Sequence, residues 1–370
     1  MGFPLPSTQR ALKVSGPGQI VLSDRISLPQ IGAEDVLVRN VYIGLNPYDS
    51  KSLDLSASFG ATVGGDFAGE IAAVGEAVTQ YQIGDRVFGC VFGNNPDDCE
   101  NGAFAEYVSV PAQLVMKLPP CLSFQQAATL GIGLATTGQA LYKGLGLPMP
   151  MPSSSASWST TPAASPPMVL VYGGGTATGA LAIQVLRRTG FIPITTCSTR
   201  SFARVHSLGA EAAFDYHSPT CGADIREYTK DRLGYAMDCI ADTASMKICY
   251  EAIGTAGGRY LALDPFPLHT HTRRSVQPDW LFLFTQFGKP VGWDRPYNFD
   301  ARPRDRAIAE RWYRVAEKLL FEGQIIPPPY EEKEGGLQAV DKGLEAVRKG
   351  LVSGYKLVYP ISRGDSVGCR

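Results

Sequence analysis

Apolar and polar residues alternate with a period of two through much of the first 140 residues. Val36-Leu-Val-Arg-Asn-Val-Tyr-Ile43 and Glu70-Ile-Ala-Ala-Val74 read as strands, with turns between them such as Gly84-Asp85 ahead of Arg86-Val-Phe88. Ser123, with Gln126 three residues on, forms a capping box that opens a helix. From residue 168 the pattern changes. Short apolar runs predict strands at Val169–Tyr172, Ile192–Cys197, Ala212–Asp215, Tyr235–Ile240 and Gly258–Leu263, separated by helical stretches. Residues 265–300 are aromatic-rich and read as irregular. Ile308, Trp312, Val315 and Leu319 predict an amphipathic helix over 304–322, and Leu337, Val340, Leu344 and Val347 predict another; both stripes read as core. Lys356-Leu-Val-Tyr-Pro360 closes the pattern as a strand. A β-rich start, an alternating βα middle and a returning C-terminal segment imply one domain inserted in another, with the chemistry in the cleft between them.

The most informative stretch is Met168-Val-Leu-Val-Tyr-Gly-Gly-Gly-Thr-Ala-Thr-Gly179 and the apolar helix after it, with Leu181, Val185 and Leu186 on one face. Strand, glycine turn and helix in that order bring backbone N–H groups and a positive helix end to a pyrophosphate. The spacing departs from Gly-x-Gly-x-x-Gly, since Thr178 stands at the last glycine's place and Gly179 follows one residue late. At the end of the next strand a carboxylate would favour NAD by accepting from the ribose 2′-hydroxyl. Here the chain reads Thr195-Thr-Cys-Ser198-Thr199-Arg200-Ser201, with hydroxyls and an arginine. Arg200 is suited to grip a 2′-phosphate, which points to NADPH; the alternative is a solvated loop arginine.

Composition narrows the field. At 370 residues, two domains are expected, and a net charge of −1 gives no general pull toward nucleic acid or an anionic membrane. No apolar run reaches the roughly 18 residues that span a bilayer. Met1-Gly-Phe-Pro-Leu-Pro-Ser-Thr8 lacks the apolar core of a signal peptide, and Pro6 spoils Gly2 as a myristoylation site. Eight scattered cysteines without CxxC pairs read as reduced thiols, hence a cytoplasmic protein. All four histidines lie after residue 200, and the β-rich segment offers only Cys90, Cys99 and Cys121, too few ligands for a catalytic or structural zinc. His269-Thr-His271 reads as polar surface rather than a metal site. Pro148–Pro167 is a Pro/Ser/Thr/Ala tract and reads as a solvated surface insertion.

Asn46-Pro-Tyr-Asp-Ser-Lys51, Gly64-Gly-Asp-Phe-Ala-Gly69, Gly84-Asp-Arg-Val87, Gly102-Ala-Phe-Ala-Glu-Tyr107 and the glycine turn occur in order over nearly the whole chain. Together they resemble the zinc-free medium-chain dehydrogenases/reductases of the quinone oxidoreductase and enoyl reductase branch. Tyr172-Gly-Gly-Gly-Thr-Ala-Thr178, Thr196-Cys-Ser198, Phe214-Asp-Tyr216, Tyr235-Ala-Met-Asp-Cys-Ile240, the 148–167 insertion and Arg348-Lys-Gly-Leu-Val-Ser-Gly354 further resemble the trans-acting enoyl reductases of fungal polyketide synthases. The resemblance implies an α/β fold: a GroES-like β-rich catalytic domain (1–138 and 296–370) with a doubly wound parallel Rossmann sheet inserted in it (139–295).

It also implies cofactor contacts from Tyr48, Asp49, Ser50 and Lys51 near the nicotinamide, and from Gly175, Thr176, Ala177 and Thr178 at the pyrophosphate. Ser198, Thr199, Arg200 and Ser201 would meet the 2′-phosphate, and Tyr216 the adenosine. Leu263 and Asp264 would lie near the nicotinamide, and Val352 and Ser353 would close the site. Gly175 stands where a serine is common, which leaves only its backbone N–H. Substrate would run along Leu141, Tyr142, Lys143, Gly144, Leu145, Gly146, Leu147, Pro148 and Met149, and along Leu283, Phe284, Thr285, Gln286 and Phe287, an apolar run that equally suits core. The stretch Leu141–Gly146 is one residue longer than in the family.

Lys51 is the candidate for orientation or electrostatic support, Thr136 for a hydroxyl contact, and Tyr48 or water for the proton. A surface lysine and simple helix packing are the alternatives for the first two. The implied reaction is NADPH-dependent reduction of an enoyl thioester on the acyl carrier protein of a polyketide synthase acting in trans. Arg273, Arg274 and Lys289 form a candidate docking patch for that acidic carrier. Prolines in Asp264-Pro-Phe-Pro267, after what reads as the last sheet strand, point to a monomer. A free quinone or enone reductase of the zeta-crystallin type is the competing enzyme, and an idle NADPH-binding interaction protein the competing class.

Overall fold

The computed structural model describes residues 5–150 and 166–361. The N-terminal residues 1–4 and most of the 148–167 insertion, on which two of the readings above fall, lie outside the described residues. The chain divides into two compact units: residues 1–132, 290–300 and 327–370, and residues 133–289 and 301–326.

The first unit starts with the hairpin β1 (Thr8–Gly16) and β2 (Gln19–Ser27), followed by β3 (Asp35–Gly44), helix α1 (Pro47–Leu55), β4 (Asp66–Val74), β5 (Arg86–Cys90), β6 (Tyr107–Pro111), β7 (Val115–Lys117) and the short helix α2 (Phe124–Ala127). Ser123 Oγ accepts from Gln126 N–H at 3.2 Å and Gln126 Oε1 from Ser123 N–H at 2.9 Å, the reciprocal cap expected of that pair. Helix α3 (Gly131–Gly138) continues into a π-helical turn, Gln139–Gly144.

The second unit carries β8 (Met168–Tyr172), α4 (Ala177–Arg188), β9 (Ile192–Cys197), α5 (Phe202–Ser207), β10 (Ala212–Asp215), α6 (Cys221–Tyr228), β11 (Tyr235–Asp238), α7 (Thr243–Ala252), β12 (Gly258–Ala262), β13 (Val276–Trp280) and α8 (Pro303–Phe321). Its parallel sheet runs β10-β9-β8-β11-β12-β13. The chain winds outward from β8 one way and from β11 the other, so the topological switch point lies between β8 and β11. Met246, Cys249, Tyr260, Ile225 and Leu170 form the core against which α6 and α7 pack.

The return segment adds β14 (Tyr330–Glu332), α9 (Val340–Arg348) and β15 (Lys356–Pro360) to the first unit. Its main sheet has the order β14-β15-β3-β4-β5-β7, with β6 also paired to β3.

Strand β13 corrects the sequence reading, which left 265–300 irregular and put the sheet edge before Asp264. Val276-Gln-Pro-Asp-Trp280 hides its strand character behind a central proline and two polar residues. A proline is tolerated on an edge strand whose N–H side faces solvent. Leu281 N–H bonds Ala262 O on β12, so residues of the opposite parity face outward. Of these, Val276 N–H bonds Arg273 O, Trp280 N–H bonds Asp279 Oδ1, and Pro278 has no N–H. The outer side of the edge therefore offers no unsatisfied donor.

Candidate functional site

Tyr172 ends β8 and the chain turns through Gly173, Gly174 and Gly175 into the N-cap Thr176. Gly173 sits at φ +89°. A Cβ on Gly174 would lie 2.2 Å from Thr195 Oγ1, and one on Gly179 would lie 2.3 Å from Gly173 O. The displaced Gly179 thus does the close-packing work of the last fingerprint glycine. A Cβ on Gly175 would meet Ser201 Oγ at an ordinary 3.4 Å, so that position tolerates a side chain. Thr176 Oγ1 accepts from Gly179 N–H at 3.0 Å and donates to Gly173 O at 2.8 Å. Among the described residues nothing accepts from the N–H groups of Gly175, Ala177 and Thr178. They converge at the positive end of a twelve-residue helix, an arrangement that fits an anionic pyrophosphate.

Other candidates gather at the same C-terminal edge of the sheet. Ser198, Thr199, Arg200 and Ser201 follow β9, with Thr199 and Arg200 exposed and Ser198 and Ser201 half-buried. Tyr216 follows β10, exposed, with its ring 6.3 Å from Tyr172 and 4.1 Å from His217. Leu263 and Asp264 follow β12 and are half-buried. The sequence reading missed the loop after β11. A Cβ on Gly173 would touch Cys239 at 3.4 Å and Ile240 at 3.5 Å, so Cys239–Asp242 forms the facing wall of the switch-point crevice. In open parallel sheets ligands bind outside the carboxyl ends of the strands where the strand order reverses, which points to this loop once that order is known.

The first unit holds Tyr48, Asp49, Ser50 and Lys51 on α1, and Val352 and Ser353 just after α9, which packs on α1. Lys51 is exposed. Tyr48 stacks on Trp293 at 6.2 Å and donates to Gly93 O at 2.5 Å. Burial, with Asp49 beside it, pushes the Tyr48 phenol well above its ordinary range. Asp49 is completely buried, with its backbone N–H bonded to Asn46 O, and Ser50 is nearly so. Asp49 Oδ2 accepts from Asn46 N–H at 2.7 Å, while its Oδ1 has no partner among the described residues. Burial raises the Asp49 carboxyl to about 7, with Asp66 raising it further and Asn46 and Lys356 opposing.

Asp66 is a hub. It accepts from Ile132 N–H at 2.5 Å, from Asn46 Nδ2 at 2.9 Å and from Lys356 Nζ, which also donates to Asn46 Oδ1 at 2.8 Å. The hub fixes the N-cap of the helix that carries Tyr48 and Lys51.

The two segments assigned to substrate meet on one carboxylate of the second unit. Asp305 Oδ2 accepts from Thr285 Oγ1 at 2.6 Å and lies 3.0 Å from Lys143 Nζ. Leu141, Tyr142, Leu145, Leu147, Leu283, Phe284, Thr285 and Gln286 are buried; Lys143, Gly144, Met149 and Phe287 are half-buried, and Gly146 and Pro148 exposed. Gly144 abuts Leu261. Most of these side chains serve as core. Thr136 is buried on α3, and Thr137 beside it donates back to Gly133 O.

Arg273, one of the three cations read as a docking patch, is half-buried and tied to the fold. Its guanidinium donates to Tyr250 O, Ile253 O and Gly254 O and so caps the C-terminal end of α7. His271 Nδ1 pairs with Tyr250 Oη at 2.9 Å. Among the described residues no group of three or more His, Cys, Asp and Glu side chains is placed to hold a metal ion. No helix among them is long and apolar enough to cross a membrane.

A switch-point crevice with a glycine turn in one unit, and a β-rich GroES-like fold in the other, define the medium-chain dehydrogenase/reductase class. The alcohol dehydrogenase GroES-like domain matches residues 32–120. The fold is similar to that of CurK enoyl reductase, with a TM-score of 0.71 at 17% identity over 96% of this chain and 100% of that one. Within the class, the chain is 59% identical over 360 residues to trans-enoyl reductase opdC of Penicillium oxalicum, covering 96% of this chain and 98% of the relative. It is 54% identical to trans-enoyl reductase iccB of Talaromyces variabilis, covering 98% of each. The chain belongs to the trans-enoyl reductase family.

Proposed function

We propose that this protein is an NADPH-dependent enoyl reductase that acts in trans on α,β-unsaturated acyl thioesters carried by a partner polyketide synthase. The observation that carries the reading is the end-to-end likeness to named trans-enoyl reductases. The crevice supports the cofactor class. Three convergent N–H groups at α4 suit a pyrophosphate, and Arg200 with Ser198 and Ser201 suits a 2′-phosphate where a carboxylate would repel it.

When bound, the reduced nicotinamide supplies a hydride to the alkene. The chain's own residues orient the partners and meet the charge that grows on the thioester oxygen. Lys51 is the cation assigned to that oxygen, and Thr136 a hydroxyl contact. Tyr48 keeps its proton on Gly93 O and forms an aromatic wall with Trp293, which leaves proton delivery to water. The blocked edge of β13 favours a monomer.

The test is NADPH oxidation with a pantetheine-linked 2-enoyl thioester and with a quinone, repeated with the thioester on a carrier domain. Reduction of the thioester, faster on the carrier, is expected. Turnover of the quinone alone would overturn the reading in favour of a zeta-crystallin-type enzyme.

A further inference from the structure

We infer that Asp238 is a positioning residue for the nicotinamide cofactor, holding the Cys239–Asp242 loop so that Ile240 packs on the bound dinucleotide. The inference rests on the cofactor reading above. Asp238 ends β11 and is fully buried. Its Oδ1 accepts from Ile240 N–H at 2.9 Å and Ala241 N–H at 3.0 Å. Its Oδ2 accepts from Ser245 Oγ at 2.6 Å and Tyr260 Oη at 2.7 Å. One carboxylate therefore ties together the strand end, the loop, the start of α7 and the neighbouring strand β12.

Ser245 extends the tie. Its hydroxyl accepts from Asp242 N–H at 3.0 Å, and its N–H donates to Asp242 Oδ1 at 2.7 Å, closing the N-cap of α7 on the same network. On the other side, Cys239 N–H bonds Tyr172 O, next to the glycine turn.

Two features of the loop are unexplained by packing alone. Ala241 is held at φ +64°, a conformation that costs an L-residue about 1 kcal/mol or more. Ile240, a large apolar side chain, is left 43% exposed beside Gly173 at the switch point. Strain held by a buried carboxylate and an uncovered isoleucine in a ligand crevice fit a wall set in advance for a partner. A flat, partly apolar ligand such as a nicotinamide ribose is the chemistry that would cover it.

The test compares Ile240→Ala and Asp238→Asn with the wild type by direct NADPH titration, steady-state kinetics and thermal melting. Ile240→Ala should lower the melting temperature by no more than a few degrees, because nearly half of the side chain is already solvated, and raise the NADPH Kd about fivefold. Asp238→Asn should raise KM for NADPH about tenfold or more, with kcat at saturating cofactor within about threefold. Adding Ala241→Gly to Asp238→Asn should recover part of the affinity, since glycine adopts the left-handed geometry unaided. A purely structural Asp238 would lower the melting temperature without this split. If Asp238→Asn does not fold, Ile240→Ala decides alone. Wild-type-like binding by either variant overturns the inference while the cofactor reading stands. A wild type that binds neither NADPH nor NADH overturns both.

Discussion

Replacing Asp49 with asparagine should make the protein more stable at neutral and alkaline pH than at acid pH, relative to wild type. The carboxyl is buried in the first unit, one oxygen on Asn46 N–H and the other without a partner among the described residues. Folding raises it from 3.8 to about 7, with burial as the main cause. The folded state therefore holds this proton more tightly than the unfolded chain. Below about pH 4 the group is neutral in both states and costs nothing. As the pH rises toward 7 the unfolded chain ionises and the folded one resists, and above 7 the full penalty is in place. Three units correspond to about 4 kcal/mol at most, of which about 2–3 kcal/mol develops between pH 5 and 8. For a unit of this size that is roughly 5–10 °C in melting temperature.

Asparagine keeps an acceptor for Asn46 N–H but does not ionise. Groups such as Asp215, Asp231, Glu331 and Glu345, all held below their usual range, are common to both proteins and cancel in the difference. Thermal melts of both proteins across that interval at fixed ionic strength are the assay. The gap between the two melting curves should widen steadily with pH. A gap of constant size would show that Asp49 does not titrate there, and the argument from its burial would fail.

Lys51→Ala should lower turnover of an enoyl thioester at least about tenfold with an unchanged melting temperature, checked by steady-state kinetics; near-normal turnover removes it from the mechanism. Tyr48→Phe should keep kcat within about threefold, because its proton is already engaged by Gly93 O; a large loss would restore it as the proton donor. Arg200→Ala should weaken NADPH binding about tenfold to a hundredfold and leave NADH unaffected, read from the two KM values; an unchanged ratio refutes the phosphate contact. Size-exclusion chromatography with light scattering should give a mass near 39.8 kDa; twice that value would show that another surface pairs the chains.

The parallel sheet and its glycine turn were readable because most of the strands are short apolar runs and the turn after β8 is a glycine cluster. Ile192–Cys197, Ala212–Asp215 and Lys356–Pro360 fall where the pattern put them, and α8 begins and ends one residue before the predicted helix. Strand β13 was not readable, since Pro278 and its polar neighbours satisfy the edge rather than the strand pattern. The role of Arg273 was hidden for a different reason. A basic pair looks the same in sequence whether it faces solvent or three carbonyl oxygens at a helix end. The loop after β11 begins inside the Tyr235–Ile240 motif, which reads as a strand; only the strand order makes its end part of a crevice. Burial of Leu141, Leu145 and Leu283–Gln286 was equally invisible, as an apolar run suits a pocket wall and a core alike.

The bond from Lys356 to Asp66 and Asn46 sets a timetable for biosynthesis. Every residue of the second unit has been synthesised once position 326 is made, whereas the first unit still awaits strands β14 and β15 and the cation for its buried carboxylate. The portion translated first is thus completed last. Nascent chains halted shortly before Lys356 would carry a finished nucleotide-binding half and an open, aggregation-prone N-terminal half that chaperones must shelter.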